Sequence, residues 1–353
     1  MSAPLTVFIT AAGAPQSPTL IRQLKGNGER QVRVFGVDMD GEACGRFLCD
    51  GFQQIPRAGA EGYRDSLLAC LERVRPDALL NVSGNDVWHV MSMRADIEAM
   101  GITVVGSDAD LIELADNKFR LYGEIAEIDG DLAPRHTSPA TLEEFIARAE
   151  EMGYPARDLC FKPHVSKGSR GFRILSQNVD RRDQLLNQKP TARYMSLDEF
   201  SSIFRDAPDF PKLLLMEVMQ GEECDVMTIG YQGEALLTTV KSRESHRWGV
   251  IDKGELIERP ELVEKTAAII ARIPLSYNLS IQFIGGKLIE INPRTSTFIY
   301  DRDFNEPWLA VKLALGLITP DEVRAYQAKI PYGRRMVRHM DQIFFNPDGQ
   351  WSH

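Results

Sequence analysis

Long apolar runs are missing from this sequence. No stretch approaches the roughly 20 residues needed to span a bilayer, so a membrane partner is not expected. The N-terminus enters a strand-like Val7-Phe8-Ile9 without a basic segment and cleavage site, so no export signal is expected. Cysteine is scarce and scattered. Cys44, Cys49, Cys70, Cys160 and Cys224 show neither zinc nor redox spacing, which suits buried thiols in a reducing cytoplasm. Positive charge is not in excess: 41 Lys and Arg face 50 Asp and Glu, and the net charge of −9 disfavours a nucleic-acid partner. The Gly-x-x-x-x-Gly-Lys-Ser/Thr phosphate loop and the Gly-x-Gly-x-x-Gly dinucleotide fingerprint are both absent, as are repeats. What is left is 353 residues, 43% apolar and 26% charged, which suits a globular protein of two or three domains.

Strand and helix signals alternate over the first hundred residues. Strands are expected at 5–10, 32–37, 78–82 and 102–105, with helices at 18–25, 63–74 and 87–100. Short connections between alternating elements argue for an open parallel sheet covered by helices on both faces. A long helix is expected over 108–127, leading out of this domain, and an amphipathic helix over 141–152. Later strands are expected at 160–163, 172–175, 213–218, 225–231, 235–241, 281–284 and 288–291. Residues 181–210 read as helix with loops, and 260–272 and 307–315 as helices. Gln232-Gly233 and Gly285-Gly286 read as hairpin turns, so the architecture after about residue 120 is α+β.

The most informative stretch is 288–296, Leu-Ile-Glu-Ile-Asn-Pro-Arg-Thr-Ser. Side chains alternate along a strand, so Glu290, Asn292 and, if extension persists, Arg294 share one face. Oxygen ligands suit a hard cation such as Mg²⁺, and a guanidinium fork suits phosphoryl oxygens. An exposed strand face is the plainer reading, but Glu290 lies between Ile289 and Ile291, where a buried carboxylate needs a cation or hydrogen-bond partner. A two-residue Gly285-Gly286 turn would set Gln282 and Glu290 on opposite faces. A three-residue loop would set them on one face, and this second register, with Gln282 joining the metal, is the one expected.

Lys162-Pro163 followed by Lys167-Gly168-Ser169-Arg170-Gly171 reads as a basic glycine loop able to cover phosphates, or as a solvated hairpin tip. Met216-Glu217-Val218 ends a strand whose backbone could pair with an adenine edge, and Glu223 could meet ribose hydroxyls; solvated acids at a strand end are the plainer alternative. Asn85, Asp86 and His89 follow a strand end, where open sheets bind ligands, or simply cap a helix.

Together these residues resemble the ATP-grasp superfamily, specifically its carbamoyl-phosphate-synthase-like and carboxylate–amine ligase members. The resemblance covers almost the whole chain. It rests on an ordered set: Phe8 to Gly13, Gly36-Val37-Asp38, Gly84-Asn85-Asp86, Asp116-Asn117-Lys118, Lys162-Pro163, Gly168 to Gly171, Glu217, Glu223, Gln282 and Glu290 to Arg294. It implies a pre-ATP-grasp α/β domain (1–110) followed by a two-lobed ATP-grasp fold with antiparallel sheets. The small lobe would span 111–215 and the core lobe 216–353. It implies ATP and Mg²⁺, replaceable by Mn²⁺, as cofactors. Lys118, Lys162, Gly168, Ser169, Arg170 and Gly171 would hold phosphates. Glu217, Val218 and Glu223 would hold adenosine, and Gln282, Glu290 and Asn292 the metal. Arg294 would orient the phosphorylated intermediate, with Lys241 and Arg243 near the transferred phosphate. A single ATP-grasp unit is present, where a complete carbamoyl-phosphate synthetase needs two.

The implied activity is an ATP-dependent C–N ligase that phosphorylates a small-molecule carboxylate and couples it to an amine, in the cytoplasm. A homodimer is compatible with this. The alternatives are activation of bicarbonate or a formyl-type donor, and a non-catalytic ATP-binding regulatory module. A nicotinamide oxidoreductase draws support from Asp38, placed where a ribose-binding acid falls, but lacks the glycine fingerprint.

Overall fold

The computed structural model describes residues 3–168, 170–187, 193–247, 250–295, 302–346 and 349–352. Contacts divide the chain into two compact units. One comprises Met1–Glu113, Glu223–Gln282 and Ile291–His353; the other comprises Leu114–Glu222 and Phe283–Glu290. The expected first and third domains share one unit, and the middle one gains eight residues from far along the chain, 283–290.

In the first unit, β1 (Leu5–Ile9), β2 (Val32–Asp38), β3 (Gly51–Gln54), β4 (Ala78–Leu80) and β5 (Thr103–Val105) form a parallel sheet in the order β3-β2-β1-β4-β5. Leu5, Val7 and Ile9 face one buried apolar cluster and Phe8 the other, so both faces are covered, as a parallel sheet requires. β3 escaped the sequence reading because Gly51-Phe52-Gln53-Gln54 holds one strong strand former. The helix expected over 87–100 is two, Val87–Met91 and Arg94–Ala99.

The second unit carries β6 (His136–Thr137), β7 (Leu159–Pro163), β8 (Arg173–Leu175), β9 (Tyr194–Met195) and β10 (Leu213–Glu217), in the order β6-β10-β7-β8-β9. Leu159 and Phe161 of β7 join an apolar cluster with Phe145 and Phe200, whose rings stack at 4.1 Å. Alternation therefore turns Cys160 and Lys162 to the opposite face. The helix expected over 108–127 is broken into Ala109–Asp116 and Lys118–Ala126. Asn117 between them is extended (φ −86°, ψ 95°), and its side chain accepts from the Arg120 N–H. An asparagine in that conformation caps the second helix and so ends the first.

The chain continues with β11 (Glu223–Tyr231), β12 (Glu234–Ser242), β13 (Ser245–Arg247), β14 (Val250–Ile257), β15 (Tyr277–Ile284), β16 (Lys287–Asn292) and β17 (Arg335–Val337), of which residues 283–290 belong to the second unit. The order is β13-β14-β12-β11-β15-β16, with β17 on β14. β11 and β12 are joined through Gln232 and Gly233, at φ 51° and 82°: the expected hairpin turn, with positive φ at both central residues. β15 and β16 are also joined by two residues only. Gly285 and Gly286 take φ 56° and 79°. The three-residue loop expected here is thereby overturned, and the argument that brought Gln282 to the metal beside Glu290 falls with it. Two consecutive glycines adopt the left-handed conformation at both positions without steric cost, so nothing forces a longer loop. No helix among the described residues is long and apolar enough to cross a membrane.

Candidate functional site

The second unit gathers the cationic part of the expected set. Lys118 opens the helix Lys118–Ala126, and its backbone N–H donates to the His164 carbonyl at 2.9 Å. Its ammonium donates to the Ser166 carbonyl at 2.9 Å and lies 4.0 Å from the Glu290 carboxylate. Lys162, on the face of β7 turned away from the Phe145 cluster, is buried. Its Nζ donates to the Tyr122 hydroxyl at 2.9 Å and faces the Ile289 carbonyl at 3.4 Å. Burial lowers the pKa of both lysines. In Lys162 the Lys118 charge adds to it and Glu290 opposes, bringing the ammonium down to about 8. In Lys118 burial dominates over the opposing Glu290. Two poorly solvated cations beside one carboxylate form a site whose positive charge is under-compensated, which favours an anionic ligand.

The glycine loop begins where this cluster ends. Lys167 pairs with Asp116 at 2.8 Å, and the Arg170 guanidinium donates to the Lys167 carbonyl at 3.2 Å. Gly168 and Gly171 have φ 63° and 75°, and a Cβ on Gly171 would lie 2.6 Å from Pro163. The loop thus needs glycine at 171 both for conformation and for space. Ser169 lies outside the described residues.

Glu217 ends β10 with its carboxylate already engaged. It accepts from Lys287 Nζ at 2.6 Å and from the Arg135 N–H at 2.9 Å. Burial would raise its pKa, but the Lys287 and Arg135 hydrogen bonds outweigh burial and lower it. Val218 and Glu217 line an open cavity of about 490 Å³ with Arg135, Arg157, Asn178 and Gln220. Just beyond, the Gln220-Gly221 segment packs on the Gly285 turn: a Cβ on Gly285 would lie 2.2 Å from the Gln220 carbonyl oxygen.

In the first unit, Glu223 pairs with Arg243 at 3.1 Å. Lys241 has no exposed surface. Its ammonium is 3.6 Å from Glu306, whose other oxygen accepts from the Thr239 hydroxyl at 2.7 Å. Burial pushes the Glu306 carboxyl up, against the opposing Lys241 charge. The Lys241 ammonium is thus enclosed with Glu306. Arg294 lies past the end of β16, and its guanidinium folds back to the Asn292 carboxamide at 3.5 Å and the Thr295 carbonyl at 3.0 Å. Extension therefore stops at Asn292, and Arg294 stays beside it by bending instead of by strand alternation. Asp86 stands at a helix N-cap without a side-chain capping bond.

Among the described residues, no group of three or more His, Cys, Asp or Glu could hold a metal. Glu290 and Asn292 are oxygen donors at alternate positions of β16, with Glu290 partly exposed. This donor set fits Mg²⁺, which keeps waters and binds through one or two protein groups plus phosphate oxygens. Sequence reasoning missed Tyr122, Lys287, Glu306 and Arg135. Only Tyr122 carried a local signal, lying four residues after Lys118 and so on the same helix face.

These sheets and helices have solved counterparts. The biotin carboxylase domain of Hydrogenobacter thermophilus 2-oxoglutarate carboxylase, solved with MgADP and bicarbonate, matches with a TM-score of 0.64 at 17% identity, over 89% of this chain and 70% of that one. Staphylococcus aureus N5-carboxyaminoimidazole synthetase, solved with ADP, matches with a TM-score of 0.63 at 12% identity, over 90% and 79%. The fold is the ATP-grasp fold. Residues 209–335 match the family model described as ATP-grasp in the biosynthetic pathway with Ter operon. Carbamoyl phosphate synthase large chain of Clavibacter sepedonicus is 25% identical over 221 residues, covering 58% of this chain but 18% of that protein. Its Bifidobacterium longum counterpart is 32% identical over 97 residues, covering 26% and 8%. The chain thus spans less than a fifth of the length of the curated relatives it matches, and the family match lies in its segment 209–335.

Proposed function

We propose that this chain is an ATP-dependent ligase that phosphorylates a carboxylate and joins it to an amine. The observation that carries the reading is the pair of buried lysines, Lys118 and Lys162, around Glu290 in the second unit. Lys162 and Lys118 hold the phosphates of ATP, and the loop from Gly168 to Gly171 covers them with backbone N–H groups. The backbone at Val218 meets the adenine edge. Glu217, held by Lys287, fixes the end of that strand. Glu290 and Asn292 hold Mg²⁺, which when bound neutralises phosphate charge. The substrate carboxylate attacks the γ-phosphorus, ADP leaves, and the resulting acyl phosphate is oriented by Arg294. An amine attacks the acyl carbon and expels phosphate, forming the amide. Such chemistry needs positioning and charge stabilisation more than covalent participation by the protein. Closure of the glycine loop excludes water from the acyl phosphate.

Bicarbonate is the second candidate for the activated acid, favoured by the Hydrogenobacter structure that holds it. A homodimer is the proposed assembly, since that same structure is described as a dimer. A screen for ADP and phosphate release over amino acids, other carboxylates and bicarbonate, with amines supplied and products read by mass spectrometry, tests the reaction. ADP formation that depends on both an acid and an amine, with a product lighter by one water than their sum, is expected. Nucleotide binding without acid-dependent turnover across the screen would support a regulatory module instead.

A further inference from the structure

We infer that Tyr122 is a positioning residue for Lys162, aiming the lysine ammonium through its phenolic hydroxyl. The inference deepens the proposed function and rests on its reading of Lys162 as a phosphate ligand. Tyr122 has no exposed surface. Its hydroxyl donates its one proton to the Ile289 carbonyl at 2.7 Å, so its lone pairs are left to accept from Lys162 Nζ at 2.9 Å. The phenol cannot swing, because its own proton is committed to a strand carbonyl. Its ring is held as well: His136 meets it edge-on at 5.1 Å, and His136 Nδ1 lies 2.8 Å from the Pro134 carbonyl.

Lys162 has three N–H groups and, among the described residues, two acceptors, Tyr122 Oη and Ile289 O. A lysine ammonium rotates freely about its last bond unless its neighbours choose an orientation. With two N–H groups assigned, the third points in a fixed direction. The hydroxyl therefore converts a swivelling charge into an aimed donor. Three elements meet at this one oxygen: the helix that starts at Lys118, strand β7 with Lys162, and strand β16 with Ile289 and Glu290. A phenylalanine would fill the same ring volume, so the hydroxyl is what the tyrosine adds.

The test is a double-mutant cycle on ADP affinity in the full chain, read by calorimetry with Mg²⁺ present. Tyr122→Phe should weaken ADP binding about tenfold, with melting confirming a folded protein. Lys162→Met should weaken it at least as much. Tyr122→Phe added to Lys162→Met should cost less than twofold more, because the hydroxyl acts only through the ammonium. A role in packing alone predicts that the two losses multiply, and that result would overturn the inference, as would unchanged affinity in Tyr122→Phe. Should Tyr122→Phe alone fail to fold, the double variant carries the test, since it leaves no ammonium without an acceptor. It must then bind ADP as Lys162→Met does. Wild-type protein that does not bind ADP would overturn the nucleotide reading, and the inference with it. ADP binding with multiplicative losses overturns the inference alone.

Discussion

Lys241 and Glu306 are an ion pair with essentially no contact with water, at 0% and 1% side-chain exposure. Removing one partner strands the other charge in the interior, which costs about 3–5 kcal/mol, whereas replacing both is far less harmful. Lys241→Met should therefore lower the urea-unfolding free energy by about that much, and Lys241→Met with Glu306→Gln should recover most of it. A single-variant loss below about 1 kcal/mol would contradict the buried pairing. Lys162 gives a second prediction, in pH. Its folded pKa of about 8 lies below the ordinary 10.5. Between those values the unfolded chain binds the proton and the folded chain has lost it, so this lysine's contribution to stability rises with pH across the window. The buried thiols of Cys49 and Cys160, pushed up to about 12, act the other way. The wild type should therefore gain stability relative to Lys162→Met between pH 8 and pH 10.5, and a difference between the two that stays constant would contradict the lowered lysine.

At the scale of elements, the hairpin turns separate two uses of glycine. Gly233 has φ 82° with open space where a Cβ would stand, so Gly233→Ala should cost only the left-handed penalty of about 1–2 kcal/mol. Gly285 has φ 56° and would also drive a Cβ to 2.2 Å from the Gln220 carbonyl oxygen. Gly285→Ala should cost clearly more, and equal melting temperatures for the two variants would disprove the close approach. Both turns were legible in the sequence as glycine-bearing breaks, but the register at Gly285 was not. That register depends on φ at two successive residues, which the letters Gly-Gly leave open. The same division runs through the site. Glu290 and Asn292 stood out because a carboxylate within an apolar strand asks for a partner. Tyr122, Lys287 and Glu306 did not, because their partners lie 167, 70 and 67 residues away along the chain. The break at Asn117 was hidden by an uninterrupted helical pattern on both sides, and only the cap geometry reveals it.

For the whole molecule, the proposed nucleotide site predicts a ligand-linked gain in stability. At ADP concentrations about a hundredfold above the dissociation constant, that gain is about 2.7 kcal/mol. ADP with Mg²⁺ should raise the melting temperature more than ADP with a chelator if Glu290 and Asn292 are, as proposed, the residues that would hold the ion. Identical shifts with and without the metal would argue against those two residues as its ligands. The division of the chain also sets a timetable. The unit that begins at Leu114 is interrupted at Glu222 and receives its last residues, Phe283–Glu290, only after 60 residues of the other unit, Glu223–Gln282, have been made. On the ribosome, the acceptor that Ile289 supplies to Tyr122 emerges long after Tyr122 itself. Until then the phenol has no Ile289 carbonyl to hold it and the Glu290 carboxylate does not yet exist, so the lysine pair closes only when that late segment arrives.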